Sequence, residues 1–171
     1  MAFTITLHGT SASPEVSYDN DSLTLRLSQS SLTIPILAGG FAAGSFDLIA
    51  AFLTFGPGVP RAIAGGLLGR EAIHGGVGTY TLGLFLHYFI AFSAATIYGL
   101  ASRKLEFLYD HFIVCGLFYG IAIYLVMKFI VLPLCAYHAM GPYQYRDLVQ
   151  GILVHMLIIG VPISLALRRL S

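Results

Sequence analysis

Charge is what this sequence has least of. Only 10% of its 171 residues are Asp, Glu, Lys or Arg, against about 25% in a soluble domain. So few charges cannot cover the surface of a water-soluble globule of this length, whereas 57% of the residues are hydrophobic. The basic residues are scattered and the net charge is +1, which excludes a nucleic-acid footprint. Cysteine is nearly absent. Cys115 and Cys135 are the two, twenty residues apart on one apolar run, or about 30 Å along a helix, too far for a disulfide. No CxxC is present, which argues against a redox dithiol. HExxH, a P-loop and paired carboxylates are missing as well. The stretch GSF at 44–46 lacks the glycine that follows a nucleophilic serine, so a Ser45–His87 dyad is not expected. No metal site and no catalytic set emerge.

What is present is long apolar runs. They cover 32–55, 76–100, 110–133 and 147–167, each near the ~20 residues that cross a hydrocarbon core. Inside lipid the backbone must satisfy its own hydrogen bonds, which leaves helices. The expected fold class is all-α: an integral membrane bundle of four transmembrane helices over residues 32–171, in contact with the lipid bilayer. Between the first two runs, Pro60 is placed to start a short helix over RAIAGGLLG, because proline suits the first helical turn. That helix either lies at the headgroups or re-enters the bundle to line a cavity. Residues 1–31 are polar and lack the basic and apolar regions of a signal peptide. FTITL and SLTLRLS alternate with period two, so this tail is a small hairpin or disordered.

Orientation follows from Lys and Arg. Arg26, Arg103, Lys104, Arg168 and Arg169 lie on the side of both termini; Arg61, Arg70 and Arg146 lie on the other. The excess puts both termini in the cytoplasm.

Each run carries one ionisable residue well inside it: Asp47, His87, Lys128 and His155. Such residues are costly in lipid and face the bundle interior. They fall on stripes of small residues. Gly40, Gly44, Asp47 and Ala51 share one face; Gly76, Gly83, His87, Ala91 and Ala94 share another. Gly116, Gly120, Tyr124 and Lys128 follow at spacings of four, and Gly151, His155 and Pro162 share a side. Small residues at this spacing let membrane helices pack closely, so Gly40, Gly44, Gly83, Gly116, Gly120 and Gly151 are expected at helix contacts. Asp47 and Lys128 either neutralise each other or Lys128 snorkels outward. Tyr80, Tyr88, Tyr98, Tyr109, Tyr119 and Tyr143 include several near span ends, consistent with interfacial anchoring.

The segments AIAGGLLGREAIHGG, LGLFLHYFIAFSAATIYGLAS, GLFYGIAIYLVMKFIVLPL and HMLIIGVPISLALRR resemble a group of small bacterial inner-membrane proteins of unassigned function. The chain is also loosely similar to YagU-like inner-membrane proteins in span order and in the fourth-span histidine. The resemblance covers roughly residues 36–169. It implies a bacterial inner-membrane location and an uncharged amide at the third-span position held here by Lys128, and it implies no catalytic residues.

Three functional readings follow. The first is a transport-related or accessory membrane protein with a proton-responsive polar centre of His87 and His155, since histidine is the side chain that switches charge near neutrality, with Asp47 as their charge partner. A translocation path through so small a bundle calls for a homo-oligomer. The second is a structural subunit of a larger membrane assembly, with the tail as contact surface for a membrane-protein partner. The third holds a haem between His87 and His155, whose depths differ by about 2.5 Å at 1.5 Å rise per residue. The first two need no cofactor.

Overall fold

The structure is a computed structural model that describes residues 32–136, 138 and 144–170. The N-terminal hairpin-or-tail expectation and Tyr143 lie outside the described residues. Among these, the chain is all-α, and four helices are long and apolar enough to cross a membrane. We number the helices α1 (Thr33–Phe55), α2 (Val59–Leu68), α3 (Val77–Ser102), α4 (Phe107–Asp110), α5 (Phe112–Leu134) and α6 (Tyr145–Leu170). The protein is an integral membrane bundle of α1, α3, α5 and α6, with the short α2 between the first and second spans.

The ends of the helices have local causes. At Gly56, φ is +82°, a conformation that favours glycine, and its N–H donates to the Phe52 carbonyl. Pro57 follows, as is common after a helix end. Gly69 closes α2 in the same way, with φ +90° and its N–H on the Gly65 carbonyl. Within the spans, hydroxyls bond back to their own helix: Thr54 to the Ala50 carbonyl, Ser93 to that of Phe89 and Thr96 to that of Phe92. A polar side chain on a helix in lipid therefore leaves no donor unsatisfied.

Glycines set the contacts. A Cβ built at Gly40 would meet the Phe92 ring at 2.5 Å, and one at Gly44 would meet Ala91 and Tyr88 at 3.0–3.1 Å, which brings α1 onto α3. Gly116 and Gly160 face one another with backbone against backbone, and Gly120 abuts the backbone of His155 and Met156, which joins α5 to α6. Gly151 lies against the Tyr124 ring, and Gly83 against the carbonyl of Pro60 in α2. Gly40, Gly44, Gly83, Gly116, Gly120 and Gly151 thus each abut another helix, whereas a Cβ at Gly76, placed on the same stripe as Gly83, would meet nothing within 4 Å. At the end of the bundle near Leu32 and Leu167, a small core closes around Ala94, Ala95, Tyr98 and Ile163. There α3 and α5 meet: the Tyr119 hydroxyl donates to the Ala94 carbonyl at 2.7 Å, and the Tyr98 and Tyr119 rings lie edge to face.

Both later spans contain a π-helical stretch, Met127–Val131 in α5 and His155–Gly160 in α6. The Leu132 N–H reaches back five residues to Met127, and Val161 to Met156. Such wider turns rotate the side chains that follow, and they recur at functional sites.

Candidate functional site

Toward the opposite end, the four spans enclose a cavity of about 420 Å³. Every span contributes to its wall, and α2 contributes Val59, Ala62, Ile63 and Gly66. α2 is held over it from several sides. Gly66 accepts from the Ala136 N–H at 2.7 Å, Arg61 Nε donates to the Gly75 carbonyl at 2.8 Å, and the Arg61 guanidinium lies 5.5 Å from the Tyr80 ring centre. Leu67 and Leu68 on the other face of α2 are exposed.

The wall is largely apolar. Among the described lining residues, Asp47 of α1, His87 of α3 and His155 of α6 carry a carboxylate and two imidazoles, and Cys135 carries a thiol. An apolar pocket with a few convergent polar groups is the usual form of a ligand site. Three of the four ionisable residues named from the sequence therefore share one cavity. Lys128 is half-buried and lies outside this lining; Met127 and Val131, its neighbours in the π-helical stretch, line it instead.

Each histidine is oriented by a carbonyl. His87 is buried, and its Nε2–H donates to the Gly44 carbonyl at 2.8 Å, across the α1–α3 contact. This is possible because Gly44 lets the two helices approach. The neighbouring Tyr88 ring stands edge-on to His87 at 5.5 Å. His155 donates its Nδ1–H to the Gly151 carbonyl at 2.9 Å, one turn back on its own helix. The Tyr124 ring of α5 packs on it edge to face at 5.2 Å, and Asp47 lines the same cavity. A carbonyl can only accept, so each neutral imidazole keeps its proton on the bonded nitrogen. The other nitrogen is left as an acceptor.

Ser45 has its hydroxyl 3.0 Å from that of Tyr88. The tyrosines are the functional neighbours that sequence reasoning misses. Tyr88 and Tyr119, grouped there with interfacial anchors, bond inside the bundle, and their partners are set by tertiary contact alone. Axial ligation of a haem by His87 through Nε2 would take that nitrogen from the Gly44 carbonyl. Among the described residues, no three His, Cys, Asp or Glu side chains are grouped to hold a metal ion. The chain matches no family model, no curated protein and no solved structure.

Proposed function

We propose that this chain is a multi-pass bacterial inner-membrane protein, transport-related or accessory in role, whose working part is the cavity and whose working variable is the protonation of its polar centre. The observation that carries this reading is the meeting of one carboxylate and two imidazoles from three different spans in one apolar cavity. A charge change there acts in a medium of low dielectric, where it has a larger effect than at a surface. The groups that face His155 are Asp47 from α1 and Tyr124 from α5, with His87 of α3 in the same wall. Lys128 is one turn beyond Tyr124 on α5.

The test is NMR of protein labelled at the histidine Cε1 carbon, in neutral detergent. His87→Gln and His155→Gln variants assign the two signals. The His155 signal moves between about pH 5 and pH 8, the range in which imidazoles titrate, and Asp47→Asn shifts its midpoint. A His155 signal that stays fixed over that range, or a midpoint indifferent to Asp47→Asn, overturns the reading.

In the proposed orientation both termini are cytoplasmic, as the Lys and Arg distribution supports. A reporter active only in the periplasm is silent when fused after residue 171 and active near residue 140. The reverse pattern inverts the bundle.

A further inference from the structure

The cavity has an open flank. A second hollow of about 370 Å³ continues it between α3 and α5, sharing Ile63, Gly66, Ile90, Val131 and Cys135 with the first. No described residue lining this second hollow is charged. At its rim Leu67, Ile130 and Leu134 are 62%, 52% and 77% exposed, on the surface that the bundle turns to lipid. An apolar path therefore runs from the hydrocarbon to the polar centre. A hydrated ion or sugar would lose its water along such a wall, whereas a hydrocarbon chain can lie in it.

The polar end selects the head of that chain. Asp47 is the one carboxylate among the described lining residues, and neither lysine nor arginine is among them. His87 and His155 each spend a ring N–H on a backbone carbonyl, so their remaining nitrogens, when neutral, can only accept. The centre thus offers a negative charge and acceptors. An ammonium group, with three donors and no acceptor, is the complement of that set; a carboxylate or phosphate head would find acceptors only.

We infer that the cavity binds a single-chain primary alkylamine, its ammonium on Asp47 and its chain in the groove between α3 and α5. The inference rests on the reading of this cavity as the working part of the protein. The volumes suit one chain, since pockets of about 300–1,000 Å³ hold small molecules.

The experiment uses the full chain in phosphatidylcholine nanodiscs and a dodecylamine analogue with a diazirine near its methyl end. After photolysis, mass spectrometry locates the label. It falls on the peptides around Leu86–Ile90 and Ile130–Leu134. Excess dodecylamine suppresses it, while dodecanol and dodecanoate do not. Asp47→Asn lowers it about tenfold or more, as expected for loss of a charge-assisted hydrogen bond. Equal competition by dodecanol overturns the inference, since the head would then not be recognised. Competition by dodecanoate, or undiminished labelling of Asp47→Asn, overturns it too. Loss of the label when phosphatidylethanolamine replaces phosphatidylcholine assigns the site to a lipid headgroup and overturns the single-chain amine. The histidine titration separates the two readings. Failure of labelling beside an intact His155 titration removes the amine alone; labelling without titration removes the protonation reading and leaves the amine site.

Discussion

Gly83→Leu destabilises the protein by about 3 kcal/mol, at the upper end of what overpacking costs, while Gly78→Leu leaves it as stable as the parent or slightly more so. Both positions lie on α3, Gly78 in its first turn and Gly83 in its interior, and neither change costs helix propensity. The contrast therefore isolates what each side chain meets. A Cβ at Gly78 meets nothing within 4 Å, whereas one at Gly83 would overlap the Pro60 carbonyl. That carbonyl belongs to a backbone that cannot easily retreat. α2 is tied to the end of α5 through Gly66 and to the Gly75 carbonyl through Arg61. Relief requires α2 to lift from the cavity it covers, one turn from His87. Thermal unfolding in neutral detergent measures the difference. Equal midpoints for the two variants would show that α2 does not rest on Gly83.

The spans were legible because lipid imposes one rule on every residue of a run. Apolar composition over some twenty residues settles the helix before any packing is known. The contact faces were legible through Gly40, Gly44, Gly116 and Gly120, since close approach requires the absence of a side chain. Lys128 shows where this reading stops. Gly116, Gly120 and Tyr124 are buried against α6, and a spacing of four carries the same stripe on to Lys128. The cavity face of α5 is the adjacent row Ile123, Met127 and Val131, so Lys128 does not line it, and which of two adjacent rows meets a cavity is set by tertiary packing. The roof was half legible. Pro60 and the glycines marked a short helix, but the choice between headgroups and cavity depends on Gly83 receiving it and on Gly66 accepting from Ala136. Those are long-range contacts with no local signature.

The same geometry decides which charge Asp47 works with. In a double-mutant cycle, Asp47→Asn and His155→Gln are coupled by about 2 kcal/mol, while Asp47→Asn and Lys128→Met add to within about 0.5 kcal/mol. Asp47 and His155 line one cavity, with no lysine or arginine among its described lining residues. Both are half-buried, so the coupling falls between the limit of about 1 kcal/mol for exposed pairs and the 3–5 kcal/mol lost when a fully buried pair is broken. Lys128 is not among the residues that line this cavity, and its removal leaves the described wall unchanged. The pH dependence separates a charge interaction from simple packing. Carboxylate and imidazolium attract only when both are charged, so the coupling is larger near about pH 5 than near about pH 8, across the range in which imidazoles titrate. A packing contact would give the same value at both. If instead Asp47 and Lys128 were strongly coupled and Asp47 and His155 additive, the polar centre would be an ion pair between α1 and α5. His155 would then lose its charged partner, and the proton-responsive cavity would lose its physical basis.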